Sequence, residues 1–128
     1  VAETESAVVS LQIPDLQINL PVFTEELSKR GLSYDPTTPL PGDPGNSVIY
    51  GHNWPNMLQD LKNIKPGQKL LVTLSGRQTR EFMVASTAVV AADQISVIAP
   101  TTDTRLTLFT CTGLFDRDRF VVVAEPIL

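Results

Sequence analysis

The chain holds one cysteine and one histidine, Cys111 and His52, and each stands where an apolar, β-prone run ends. Cys111 closes Thr107-Leu108-Phe109-Thr110-Cys111, and after a short loop Arg119 opens Arg119-Phe120-Val121-Val122-Val123. His52 follows Asn46-Ser47-Val48-Ile49-Tyr50-Gly51. A thiol attacks carbonyl carbon as thiolate, so a cysteine at an exposed strand end near cations is a better nucleophile than one in mid-core. Taken alone, a lone cysteine is more often a small buried hydrophobe. The second singular residue, also at a strand end, is what makes a site of the two. Imidazoles titrate at about pH 6.5 and so can protonate a leaving amine and deprotonate an incoming one. An arginine adds a permanent charge on a planar fork, suited to an oxyanion or to substrate backbone.

Positioning these groups falls to short strands. Residues 8–13 and 16–20 alternate apolar with polar positions around a Pro14-Asp15 turn, which predicts two strands. Thr24 is expected to cap a short connecting helix through Glu25, Glu26, Leu27 and Ser28, with Gly31 as its stop. Residues 35–45 hold four prolines and two glycines and read as a long surface loop. Val48-Ile49-Tyr50 is a strand ending at Gly51-His52, where the glycine either lets the backbone turn or approach a ligand, or merely ends the strand. Met57, Leu58 and Leu61 have helical spacing, which predicts a short helix over 55–61 packed on the sheet. Residues 69–74 and 80–85 are strands around a Ser75-Gly76-Arg77 turn, and 87–91 continues the sheet. Between 92 and 104 the pattern weakens; this stretch either lines a groove beside the cysteine strand or is a plain surface loop. Many short strands without repeats or heptads point to an antiparallel-rich sandwich or barrel.

The runs T-L-F-T-C, R-F-V-V-V-A and V-I-Y-G-H resemble the signatures of sortases, the cysteine transpeptidases of bacterial cell surfaces. Leu11-Gln12-Ile13-Pro14 with Leu20-Pro21-Val22 is similar to that family's entry strands, Pro41-Gly42-Asp43-Pro44-Gly45-Asn46 to its loop before the histidine strand, and Ile64-Lys65-Pro66-Gly67 to its next hairpin. The resemblance covers nearly the whole chain in the family's order. It implies an all-β closed barrel of about eight strands with one or two short helices, and His52, Cys111 and Arg119 near one rim as catalytic residues. Thr110 and Thr112, either side of the cysteine, are expected to contact substrate. It also implies a Cys-His-Arg site without a carboxylate third member, Asp116 and Asp118 reading as solvated loop charges. The 92–104 stretch corresponds to a loop that contributes to sorting-signal recognition in the family.

Two arginines lie close together, and only Arg119 leads directly into an aliphatic strand, Arg117 being separated from it by Asp118. Seven residues, 112–118, would return the chain so that position 119 falls beside 111, leaving Arg117 about 6 to 7 Å farther out along an extended chain.

A length of 128 residues is expected to form one domain, and 42% hydrophobic content supports one ordinary core. A net charge of −4 argues against nucleic acid and against a polybasic membrane patch. No stretch approaches the roughly 18 apolar residues needed to span a bilayer. The beginning at Val1-Ala2-Glu3 reads as a fragment of a protein that carries an N-terminal signal or anchor upstream. One Cys and one His are too few soft ligands for a structural zinc. Some sortases bind calcium through clustered acids, but the acids here are scattered, so no metal and no cofactor is expected.

The resemblance implies cleavage of an L-P-x-T-G-like sorting signal between Thr and Gly and transfer of the acyl chain to an amine, a peptidoglycan cross-bridge or a pilin lysine. The partners implied are sorting-signal-bearing surface proteins, with the enzyme a monomer on the extracellular face of the bacterial membrane. A thiol hydrolase releasing the same thioacyl group to water, and a degenerate peptide-binding domain, are the competing readings.

Overall fold

The computed structural model describes residues 8–112 and 117–127. Eight strands run β1 (Val8–Ile13), β2 (Ile18–Phe23), β3 (Leu32–Tyr34), β4 (Gly45–Gly51), β5 (Lys69–Leu74), β6 (Thr79–Ala91), β7 (Thr104–Thr112) and β8 (Asp118–Pro126). They close into a barrel in the order β1-β2-β3-β4-β7-β8-β6-β5. Closure pairs every strand on both sides, although the end of β6 beyond its pairing with β5 is bonded to β8 alone. The interior is filled by side chains such as Leu11, Ile13, Leu32, Ile49, Leu70, Val72, Phe82, Leu106, Leu108 and Val122, all fully or almost fully buried. Each such side chain contributes roughly 1.5–3 kcal/mol on leaving water, so the barrel wall near the site is a stiff support.

Pairing is antiparallel except at β2–β3 and β4–β7. The parallel β4–β7 ladder runs from Gly45↔Thr104 to Gly51↔Thr110. It brings together segments far apart in the chain, and it ends beside both singular residues. The β7–β8 hairpin then pairs Cys111 with Arg119 and Thr112 with Asp118.

The helical expectations need correction. No helix forms from Thr24: residues 24–31 are turns and bends. Leu27 takes a left-handed φ of 46°, and the buried Ser28 sends its N–H to Ser33 Oγ at 3.0 Å and its hydroxyl to Glu25 at 2.9 Å. So short a run cannot offset the cost of helix nucleation, and side-chain hydrogen bonds direct the backbone elsewhere. Gly31 is not a helix stop; it lies against the Pro21 carbonyl, where the parallel β2–β3 pair begins and a Cβ would not fit. The helix expected over 55–61 is a 3-10 turn at Gln59–Asn63, η2 here, although Leu58 and Leu61 are fully buried as the spacing required. The turn expected at Pro14-Asp15 is a 3-10 turn, η1 (Pro14–Leu16), and a further one, η3 (Ile95–Ile98), was not foreseen. The first displaces β2, expected at 16–20, to Ile18–Phe23, because Gln17 turns through φ 55°. The strands expected over 80–85 and 87–91 are one long β6, whose register against β8 shifts between Val84 and Ser86.

Candidate active site

The half-buried Cys111 sits one residue from the end of β7. Directly opposed residues of an antiparallel pair have Cβ atoms about 4.5–5.5 Å apart on the same face, so its partner Arg119 projects from the same side of the sheet. The Arg119 guanidinium donates to its neighbour's carbonyl, Asp118 O, at 3.0 Å. Arg119 also pairs with Val90 of β6, so it is gripped between two strands.

His52 leaves β4 one residue beyond Gly51↔Thr110. That is the height of Cys111 on the adjacent parallel strand, and adjacent strands lie about 4.8 Å apart. The turn that follows is fixed by Leu58 N donating to His52 O at 3.1 Å and Met57 N donating to Trp54 O at 3.0 Å. Trp54 stacks flat on the imidazole, with centroids 3.8 Å apart and planes 5° from parallel. Nε2 of His52 lies 3.2 Å from the Leu27 carbonyl. A carbonyl only accepts, so Nε2 must carry a hydrogen, and Nδ1 is the nitrogen whose proton can exchange. Among the described residues the imidazole bonds to Leu27 and not to Cys111.

Beside Arg119 is an open cavity of about 240 Å³, lined by Val90, Val97, Ile98, Phe109 and the arginine itself. One of its walls is η3, and the hold on η3 is specific. Asn46, 2% exposed, donates from Nδ2 to the carbonyls of Val97 and Ala99, both at 3.1 Å. Its Oδ1 accepts from the fully buried Thr107 hydroxyl at 2.6 Å. A single amide therefore ties β4, β7 and the 92–104 segment together with every polar atom satisfied. A second, more polar depression of about 180 Å³ borders Cys111 on its other side, with Asn53, Gln59, Lys62, Leu58 and Phe120 around it.

A family model for the sortase domain matches residues 11–127. The chain belongs to the sortase family. Among solved structures it is similar to sortase A from Corynebacterium diphtheriae, at 25% identity and a TM-score of 0.85, covering 97% of this chain and 62% of that one. It is likewise similar to sortase C-1 from Actinomyces oris, at 27% identity and a TM-score of 0.82, covering 94% of this chain and 73% of that one. A third is sortase C from Clostridium perfringens SM101, at 25% identity and 0.82, covering 97% and 72%. No curated protein sequence matches the chain.

Within this sortase barrel the threonines flanking Cys111 have different surroundings. Thr110 is 4% exposed and its hydroxyl donates to Gly51 O at 2.8 Å. That bond ties β7 to the end of the histidine strand and uses the hydroxyl's proton, leaving its oxygen as an acceptor at the border of the polar depression. Thr112 is half-exposed and borders the polar depression. Arg117 is exposed and outside β8, its carbonyl accepting from Ala92 N at 3.1 Å. Asp118 begins β8, whereas Asp116 lies outside the described residues. Among the described residues no three His, Cys, Asp or Glu side chains gather as a metal site would require.

Three contributors escaped the sequence reading. Leu27, taken as part of a connector, supplies the carbonyl that holds His52. Trp54, two residues past the histidine, could have been suspected as a stacking partner. Asn46 carried one signal, an amide leading into the apolar Val48-Ile49 run that had to find partners if buried.

Proposed function

We propose that the chain is the catalytic domain, over 1–128, of a sortase-type transpeptidase with Cys111 as nucleophile, His52 as proton carrier and Arg119 as the oxyanion or backbone donor. The observation that carries this reading is the register. Cys111 is paired directly with Arg119, and His52 leaves the neighbouring strand at the same height.

The sulfur of Cys111 would attack the threonyl carbonyl of an L-P-x-T-G-like signal, and Arg119 would stabilise the charge developing on its oxygen. As the C–N bond breaks, His52 would deliver a proton from Nδ1 to the leaving glycyl amine. The apolar cavity beside Arg119 has the size and lining to take the leucine and proline side chains that precede the cleaved bond. An incoming amine would then take the acyl group, its surplus proton passing to His52.

The partners that follow are surface proteins bearing the signal and an acceptor amine of a peptidoglycan cross-bridge or pilin lysine, with a monomeric enzyme held at the extracellular face of the membrane by a segment upstream. The net charge of −4 disfavours nucleic acid. The test is to incubate the protein with sorting-signal peptides, with and without oligoglycine. A product heavier by the acceptor supports transpeptidation; hydrolysed peptide in both arms indicates a thiol hydrolase; intact peptide refutes catalysis.

A further inference from the structure

We propose that the polar depression on the far side of Cys111 from Arg119 receives the acceptor, and that Lys62 there selects an amine carrying a free carboxylate close by. This rests on the transpeptidase reading above. The two depressions divide the site: the apolar one is bordered by Arg119 and Phe109, the polar one by Cys111 itself. A peptide occupying the first leaves the thioacyl carbon to be approached from the second. Asn53 and Gln59 offer side-chain amides there, Lys62 is the charged group, and no carboxylate borders it among the described residues.

Lys62 stands on η2, which is anchored by the fully buried Leu58 and Leu61. Like Lys29, Lys65, Arg77 and Arg117, Lys62 makes no ion pair among the described residues, and of these only Lys62 borders the depression at Cys111. An ammonium beside the reaction centre repels an acceptor that arrives protonated and without a counter-charge. An acceptor with a carboxylate near its amine turns that repulsion into attraction. The carboxylate sits at Lys62 and the neutral amine is presented to the thioacyl carbon. The amine lone pair then forms the N–C bond and the C–S bond breaks. Sulfur leaves with its electron pair as thiolate, and the amine's surplus proton goes to His52. Acceptors of amino-acid type, with amine and carboxylate within one or two residues of each other, fit this better than a lysine side chain buried in a neutral peptide.

The experiment offers matched acceptor pairs, glycylglycine against glycylglycinamide and alanine against alaninamide, with one fixed sorting-signal peptide, and reads the acid-to-amide ratio of transfer products by mass. Within each protein the ratio is internal, so any general loss of activity cancels. For glycylglycine against glycylglycinamide, whose amines are similarly basic, the wild type should favour the acid by up to about fivefold; for the alanine pair, the readout is the fall in the acid-to-amide ratio from wild type to Lys62→Gln. Lys62→Arg should keep the preference, Lys62→Gln abolish it and Lys62→Glu reverse it. A wild-type ratio near one, or a preference that survives in Lys62→Gln, overturns the proposal. Thioacyl formation with water as sole acceptor overturns it while leaving Cys111 chemistry standing. Absence of any thioacyl enzyme refutes the transpeptidase reading and the proposal with it.

Discussion

Replacing Asn46 by alanine should damage peptide recognition from a position that touches no substrate. The side chain donates once to η3, at Val97, and once to the residue that follows it, Ala99, and accepts one hydrogen bond from Thr107. These have separable consequences. The carbonyls of Val97 and Ala99 lie in a partly exposed segment and can turn to water once released. Losing their tether therefore removes about 0.5–1.5 kcal/mol each, or about 2 kcal/mol together. At roughly tenfold per 1.4 kcal/mol, the KM for a sorting-signal peptide should rise by about thirtyfold, because η3 walls the cavity at Arg119. The fully buried Thr107 hydroxyl cannot reach water. Stranding it costs about 1–3 kcal/mol of global stability, seen as a fall of about 4 °C in Tm per kcal/mol. Thr107→Val keeps both donations to the 97–99 carbonyls but leaves the buried Asn46 Oδ1 without its donor, so it should lower Tm while leaving peptide KM within about threefold. Steady-state kinetics and thermal melts on both variants separate the two. Unchanged KM in folded Asn46→Ala, or an equal KM rise in Thr107→Val, would refute the idea that the amide acts by holding η3.

Arg119→Ala should reduce turnover by about 10² to 10³, the usual cost of losing one oxyanion donor, and Arg119→Lys should recover little because an ammonium lacks the planar fork. Arg117→Ala should stay within a few-fold of wild type, since that side chain is exposed and outside the strand; the reverse ranking would reassign the third catalytic residue. Gly51→Ala would place a Cβ 2.6 Å from Leu32 Cδ2 and 3.3 Å from Leu58 Cδ1. Both leucines are fully buried, so overpacking should cost about 1–3 kcal/mol in a denaturant melt; an unaltered midpoint would contradict this. Grafting another sortase's segment over 92–104 should change peptide preference in a cleavage library, whereas an unchanged profile on a folded graft would put recognition elsewhere.

Where side-chain alternation reports burial, the barrel was legible. β5 lies where its apolar run ended, and the hairpin arithmetic that returned residue 119 to the side of 111 agrees with the Cys111↔Arg119 pair. Gly51 had been left between a turn, a ligand approach and a plain strand end. The structure gives a different reason, since the Leu32 and Leu58 side chains pack where a Cβ would stand. The failures share a cause. Residues 24–31 carried helix-capping residues, but Ser33 and Glu25 took the hydrogen bonds of Ser28, and local propensity lost to contacts across the turn. The Asn46 network links positions 51 and 53 residues apart along the chain, and the parallel β4–β7 ladder that makes it possible has no local signal at all. Position 27 is equally silent, because what it contributes is a backbone carbonyl, which every residue has.

Cys111 is expected to form a thioacyl bond to a sorting-signal peptide. The most direct measurement is intact-protein mass spectrometry, with peptide mapping, after incubation with a sorting-signal analogue that carries a thiol-reactive group in place of the cleaved bond. One adduct should form, on Cys111, its rate of formation falling sharply in His52→Ala and in Arg119→Ala, and none on a folded Cys111→Ala protein. An adduct on Cys111→Ala, or a rate on the wild type no faster than that of a scrambled analogue, would contradict it.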